Sequence, residues 1–255
     1  MGIKRLFQAM GVGGPSVESE LAASDCRPGG QLEGRIRVVG GGDAPVDVEY
    51  LAIGLTTPIG IDDGNSEYSA QQEFHRQRLT GSFRLDPAAR HEMDFRFSVP
   101  WETPITELFG QHLHGMRMAL VTELEVAGEV ARSDVDAVAV RPLPAQERVL
   151  DALLRMGFRF SRADVRRGRV GDTEQRLPFY QQIEFFPPAA YAAGMSRLEL
   201  TFLPAPAAVQ VSLVSRDPDR TGRFDVDYAT VDERDWAQQV DEWLTALSGR
   251  FAGPR

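Results

Sequence analysis

Apolar and polar residues alternate in short segments along much of the chain. In Gln31–Val39, for example, Leu32, Ile36 and Val38 alternate with charged side chains. The same period of two recurs at 46–56, 91–99 and 117–126, and a β-branched run follows at 133–140. Because successive side chains of a strand point to opposite faces, this pattern predicts half-buried antiparallel strands. The intervening turns are rich in Gly, Pro and Asp, which is typical of a β-sandwich.

Residues 141–144, Arg-Pro-Leu-Pro, interrupt this pattern. Two prolines around one residue favour an extended connector and disfavour a helix across it, so we place a domain boundary between Leu143 and Pro144. Strands return beyond it at 158–163, 181–186, 197–203 and 209–215. The sequence therefore predicts an all-β fold with a few short helices, in which residues 1–143 and 144–255 form two antiparallel β-sandwich domains in tandem.

Two of the predicted helices are amphipathic segments at the N-terminus and at the domain junction. The first has an apolar stripe at helical spacing, formed by Ile3, Leu6, Phe7 and Met10. The second has its stripe within residues 149–154, and Gly157 is placed to end it.

A third amphipathic helix is predicted at the C-terminus, from about residue 231 to 248. Thr230 and Glu233 stand at the spacing of a capping box. Its apolar stripe includes Trp236 and Trp243. Since two tryptophans on one face favour burial, we expect the helix to pack on a β-sheet face or on an identical neighbour.

The composition narrows the class of protein. The 255 residues include one cysteine, Cys26, which excludes an intrachain disulfide and fits the cytoplasm, the location we expect. The net charge is −9, so the chain as a whole repels nucleic acid, and we expect no nucleic-acid partner. The N-terminal helix carries only two bases, Lys4 and Arg5, so peripheral membrane contact is not favoured.

The motifs that carry catalysis or bind metals and cofactors are not found in the sequence. His112 and His114 lie two residues apart but lack further ligands at metal-site spacing. Residues 217–228 have oxygen-bearing side chains in the order of a calcium loop, but position 12 is Tyr228, which favours a hairpin turn. The chain has no G-x-S-x-G elbow and no phosphate-binding glycine motif. We therefore predict no catalytic residue, metal or cofactor.

The strongest charge feature is a run of arginines between residues 155 and 176. Its members are Arg155, Arg159, Arg162, Arg166, Arg167, Arg169 and Arg176. One interpretation is a surface that binds an anion or an acidic partner. The other, which we favour, is a solvated strand face that complements the acidic residues between 225 and 242.

Parts of the sequence resemble a known family. Residues 16–38, which include the turn Arg27-Pro28-Gly29-Gly30, resemble the opening strands of arrestin-like domains. Residues 97–104 resemble the strand of that family that ends in a proline-punctuated turn. Residues 146–160, 162–164 and 177–186 closely resemble the bacterial sporulation-control proteins of the stage-zero M type. The resemblance implies two tandem arrestin-like β-sandwiches, a cytosolic location and a non-enzymatic regulatory role linked to sporulation or cell division. It brings no catalytic residue.

The residues and the resemblance together predict an adaptor or scaffold that binds other proteins, including a second copy of itself. Candidate surfaces are the groove between the sandwiches, exposed sheet edges and the amphipathic helices. The candidate partner-binding residues are Ile3, Leu6, Phe7, Arg166, Arg167, Arg169, Trp236 and Trp243. The alternative is a module that binds anionic lipid or a small anion through the arginines of residues 155–176.

Overall fold

The computed structural model describes residues 13–62, 67–216 and 219–248, and most of these residues lie in strands. The strands before the predicted boundary are β1 (Ser16–Leu21), β2 (Asp25–Cys26), β3 (Gln31–Val39), β4 (Val46–Asp62), β5 (Glu67–Arg78), β6 (Phe83–Leu85), β7 (Arg90–Ser98), β8 (Glu107–Leu108), β9 (Gln111–His112), β10 (Ala119–Val126), β11 (Arg132–Ala137) and β12 (Ala139–Val140). The mostly-β fold with few helices is therefore confirmed.

The second half alternates strands with helices. Its elements are α1 (Pro144–Arg155), β13 (Arg159–Arg167), β14 (Phe179–Phe186), α2 (Ala189–Ala192), β15 (Arg197–Pro204), β16 (Ala208–Arg216), β17 (Arg220–Asp227), a 3-10 turn at Tyr228–Thr230, and α3 (Trp236–Ser248). The predicted N-terminal helix lies outside the described residues.

The first half is a sandwich of two sheets. One sheet has the order β1-β3-β7, and the other contains β11, β10 and β4, with β5 and β6 paired to β4. Their facing side chains are fully buried, including Ile36, Phe97, Ile53 and Leu120. Burial of each such side chain contributes roughly 1.5–3 kcal/mol before entropy is counted. The alternating pattern thus correctly identified the buried face of these strands.

The second half is built differently from the predicted second sandwich. Strands β13 to β17 lie in one sheet in sequence order. Helix α3 lies against β16 and β17, and α1 contacts α3. Val149 and Leu244, one from each helix, are fully buried, whereas the opposite face of the sheet carries the charged residues Arg162 and Arg197. Two amphipathic helices therefore take the place that a second stacked sheet would occupy.

One sheet crosses the predicted domain boundary. Strand β4 pairs with β10 over its first part, and further along Gly60 pairs in parallel with Arg166 of β13. The resulting ten-stranded sheet contains strands from both halves. The division of the chain at residues 143 and 144 stays a prediction.

The ends of the two amphipathic helices, α1 and α3, are set by the residues that cap them. Pro144 occupies the first turn of α1, where its missing N–H costs nothing, and Gly157 has a φ of +90° just past its end. Helix α3 begins at Trp236 rather than near 231, because Oδ1 of Asp235 accepts hydrogen bonds from the N–H groups of Ala237 and Gln238. The predicted capping box at Thr230 is wrong.

Candidate functional site

The arginine run lies mainly on strand β13, and its charges are paired locally. The Glu184 carboxylate lies opposite Arg162 in the register. Its oxygens are 2.7 Å from Nη2 of Arg162, 3.5 Å from Nη2 of Arg166 and 3.3 Å from Nη1 of Arg197. Burial raises the pKa of Glu184, but the hydrogen bond from Arg162 and the charges of the three arginines outweigh it. The net shift lowers its pKa.

The sequence interpretation expected these arginines to complement the acidic residues near the C-terminus. That expectation is wrong, because the arginines that form ion pairs have other partners. Arg166 also pairs with Asp164, and Arg155 pairs with Asp151. Among the acidic residues near the C-terminus, Asp232 is bound by Arg148, which precedes the run. The opposite charges that match Arg162 and Arg166 lie on β13 itself and on its neighbour β14, because side chains opposite each other on paired strands lie within contact distance.

The remaining arginines of this candidate site lie at the end of β13 and in the loop after it. Arg167 is exposed. Nη1 of Arg169 donates to the carbonyl of Gln175. The side chain of Gln175 is buried and donates to the carbonyl oxygens of Gly168, Leu177 and Phe179, the last of which begins β14. Arg169 is thus part of the hydrogen bonding that holds the loop. The paired arginines and this structural role give the anion-binding alternative no support.

The two tryptophans of the candidate site pack inside the chain. The Trp243 ring stacks on Phe224 of β17 with centroids 4.6 Å apart, and the Trp236 ring packs edge-on against Trp243 at 6.2 Å. Nε1 of Trp236 donates to the carbonyl of Val231 at 2.7 Å. The prediction that the helix packs on a sheet face is confirmed. Ile3, Leu6 and Phe7 lie outside the described residues, so their role stays a prediction.

The two halves are joined by side chains that bind backbone across the boundary. The Glu102 carboxylate accepts from the N–H groups of Arg176 and Leu177 at 2.7–2.9 Å. The Gln181 amide accepts from the N–H of Ile105 at 3.0 Å and donates to its carbonyl at 2.8 Å. A cleft beside these contacts has space for roughly one water molecule. These hydrogen bonds between the two halves are called the joint below.

A hairpin before β10 presents an aromatic ring to solvent. Strands β8 and β9 pair as Leu108 with Gln111, which leaves Phe109 and Gly110 as a two-residue turn. Both have a positive φ, +50° for Phe109 and +74° for Gly110, as in a type I′ turn. The Phe109 residue is 52% exposed, whereas Leu108 and Leu113 at the base of the hairpin are buried.

The sequence interpretation missed Phe109. A left-handed backbone disfavours a phenylalanine by about 1–2 kcal/mol relative to the usual conformations, and type I′ turns favour Asn-Gly at these positions. The pair Phe109-Gly110 between two short segments could have indicated a two-residue hairpin turn. It was overlooked because the segments are only two residues long.

The described residues were also compared with what a metal site and a membrane-spanning helix require. Within residues 13–62, 67–216 and 219–248, no group of three or more His, Cys, Asp or Glu side chains is arranged to hold a metal ion. In the same part of the chain, no helix is long and apolar enough to cross a bilayer. Within the segment that resembled a calcium loop, Arg220–Asp227 form β17, which pairs antiparallel with β16; residues 217–218 lie outside the described residues.

Comparison with known proteins agrees with the sequence resemblance. A family model described as SpoOM protein matches residues 3–218. The sporulation-control protein Spo0M of Bacillus subtilis is 34% identical over 201 residues, which cover 78% of this chain and 74% of that protein. The crystal structure of Spo0M from Bacillus subtilis superposes with a TM-score of 0.81 at 26% identity, over 92% of this chain and 100% of that chain. The chain is thus the homologue of a regulatory protein, and it belongs to the Spo0M family.

Proposed function

We propose that this protein is a non-enzymatic, cytoplasmic adaptor that acts in sporulation control by binding other proteins. The observation that carries the proposal is Phe109, which is exposed at a hairpin tip in a backbone conformation that disfavours it. Residues held in disfavoured backbone conformations cluster at functional sites. Aromatic residues, phenylalanine included, are enriched at protein interfaces relative to the rest of the surface.

The surroundings of Phe109 favour a protein partner. The hairpin is fixed to the body of the molecule, because the N–H of Leu113 donates to Thr106 and Arg141 pairs with Glu107 at its base. A rigid support lowers the entropy cost of binding. The pairing also leaves the base of the hairpin without excess positive charge, so the ring is better suited to an apolar pocket of a protein than to nucleic acid or anionic lipid.

Site-specific photocrosslinking in the native cell tests this proposal. A benzophenone amino acid replaces Phe109 in the full chain, and the matched control places it at Val130, which is 80% exposed in another loop. We expect discrete protein adducts from position 109 that mass spectrometry identifies and that position 130 does not give. The same diffuse adducts from both positions would contradict the proposal, as would turnover of a metabolite by the purified protein.

A further inference from the structure

The hairpin that carries Phe109 belongs to neither of the two large sheets. Strands β8 and β9 pair only with each other in the described part of the chain. A strand within a larger sheet is oriented by the hydrogen-bond ladder to its neighbours. The orientation of this hairpin depends instead on its buried base, Leu108 and Leu113, and on the residues that lead into it. These residues, 102–106, are called the stem below.

The second half of the chain holds the stem at two points. The carboxylate of Glu102 accepts three hydrogen bonds from the N–H groups of Arg176 and Leu177. Three residues further along the stem, the side chain of Gln181 accepts from the N–H of Ile105 and donates to its carbonyl. A single amide side chain thus makes both of the backbone hydrogen bonds that a residue of a paired strand would make.

The next residue of the stem connects these contacts to the hairpin. The N–H of Thr106 donates to the carbonyl of Val140, and its hydroxyl accepts from the N–H of Val140, both at 2.8 Å. The carbonyl of Thr106 accepts from the N–H of Leu113 at the base of the hairpin. Ile105 and Thr106 are both fully buried. A continuous series of hydrogen bonds therefore runs from Gln181 to the hairpin.

The groups that hold the stem are themselves fixed in place. The side chain of Gln175 is buried and donates to three carbonyl oxygens at the two ends of the loop after β13. This loop therefore presents the N–H groups of Arg176 and Leu177 to Glu102 in a defined position. Gln181 lies on β14, opposite Val165 of β13. Because both supports are ordered by their own contacts, holding the stem costs them little further conformational entropy.

We propose that Gln181 and Glu102 are positioning residues, through which the second half holds the Phe109 ring in the orientation that a partner binds. This inference rests on the proposed function, in which Phe109 anchors a protein partner. Two residues lie between Thr106 and Phe109, so release of the stem changes the position of the ring directly. Since coupling between two equilibria is reciprocal, a partner that binds the held hairpin also stabilises the joint.

Hydrogen exchange in the full chain, followed by NMR, tests the positioning without any partner. Gln181→Ala removes both hydrogen bonds to Ile105, so the amide hydrogens of Thr106 and Leu113 should exchange about tenfold faster. Glu102→Gln keeps the volume of the side chain but only one acceptor oxygen, and it should give a smaller increase. The matched control is Gln238→Ala, an exposed change on α3, which should leave these rates unchanged.

Two results of the exchange measurement would overturn the proposal. One is equal exchange of Thr106 and Leu113 in Gln181→Ala and in Gln238→Ala. The other is an acceleration in Gln181→Ala that is just as large at the fully buried Ile36 of β3, since the whole fold would then be loosened rather than the stem.

The photocrosslinking assay tests the effect on binding. With the benzophenone at position 109, Gln181→Ala should lower the yield of discrete protein adducts severalfold, Glu102→Gln should lower it less, and Gln238→Ala should match the unmodified chain. If the unmodified chain gives no discrete adducts, the proposed function fails, and the exchange rates alone decide whether the second half positions the hairpin. Equal adduct yields in Gln181→Ala and Gln238→Ala would overturn the coupling and leave the proposed function intact.

Discussion

At the scale of single residues, the structure differs most from the sequence interpretation at a buried charge, Glu184, and at a strained backbone position, Phe109. Glu184 is 3% exposed, and its carboxylate stays charged because three guanidinium groups surround it. The sequence shows an excess of arginine in this region but not the position of that carboxylate, which lies on the neighbouring strand. Phe109 is a second case, because its positive φ depends on the hairpin that holds it.

Replacing Phe109 with Asn should stabilise the fold while removing the proposed contact. Asn accepts the left-handed conformation more readily, so we expect the free energy of unfolding to rise by roughly 1 kcal/mol. Urea denaturation measures the change. Phe186→Asn is the control, since Phe186 is 41% exposed and lies in the regular strand β14. Equal losses of stability in the two variants would show that Phe109 is not strained.

The charge of Glu184 predicts a specific dependence of stability on pH. Its pKa in the folded state is lowered from the ordinary 4.5, so its stabilisation is present above that value and is lost as the pH falls through the lowered pKa. At pH 7, Glu184→Gln should reduce the free energy of unfolding by about 2 kcal/mol. Below pH 4.5 the difference from the unmodified chain should shrink. A loss that is the same at pH 3 and pH 7 would indicate packing instead of charge, and Glu49→Gln provides the exposed control.

At the scale of elements, regular patterns were predicted well and polar strands were not. Strand β3 begins and ends as predicted, because its apolar and charged residues alternate strictly. Strand β5 was missed, since Glu67–Arg78 is almost entirely polar and is recognised as a strand only through its pairing with β4. The start of α3 was placed about five residues too early, because Asp235 caps the helix and Thr230 does not.

The packing of α3 predicts a large effect of Trp243. The ring is buried and stacks on Phe224, so Trp243→Ala should lower the free energy of unfolding by about 3–5 kcal/mol. Urea denaturation followed by circular dichroism measures the loss. Glu242→Ala, an exposed change on the same helix, should have little effect. If the two variants are equally stable, the helix does not contribute to the core.

At the scale of the whole molecule, the division into two domains stays a prediction, whereas the layers within each half can be compared with the sequence interpretation. The first half is a sandwich as expected, but the second is a single sheet with helices, and the ten-stranded sheet contains strands of both. Sequence periodicity shows which face of a strand is buried. It does not show whether a second sheet or a pair of helices covers that face, because both cover it with apolar side chains.

The shared sheet predicts that the two halves unfold together. Burial raises the pKa of the Cys26 thiol to about 12, so it should not react with a disulfide reagent in the native protein at pH 8. The fluorescence is followed in a Trp101→Phe variant, whose two remaining tryptophans, Trp236 and Trp243, both lie in the second half. As urea rises, the thiol of the first half should become reactive with the same midpoint at which these tryptophans lose their buried fluorescence. A thiol that reacts well before the fluorescence changes would show independent halves.

A substitution at the joint should weaken the coupling between the unfolding of the two halves. Gln181→Ala removes the two hydrogen bonds to Ile105, and it leaves both cores intact. We expect the midpoints of thiol reactivity and fluorescence to separate in this variant. Gln238→Ala on the exposed side of α3 should keep them together.

Strand β4 also limits how members of this family can be recombined. Its first part completes one sandwich, and its far end, at Gly60, pairs with Arg166 of the other half. A graft that joins residues 1–143 of one homologue to the remainder of another would keep every residue of each parent, yet it would bring together two surfaces that did not evolve as a pair. Functional hybrids should therefore require the β4–β5 hairpin and β13 to come from the same parent.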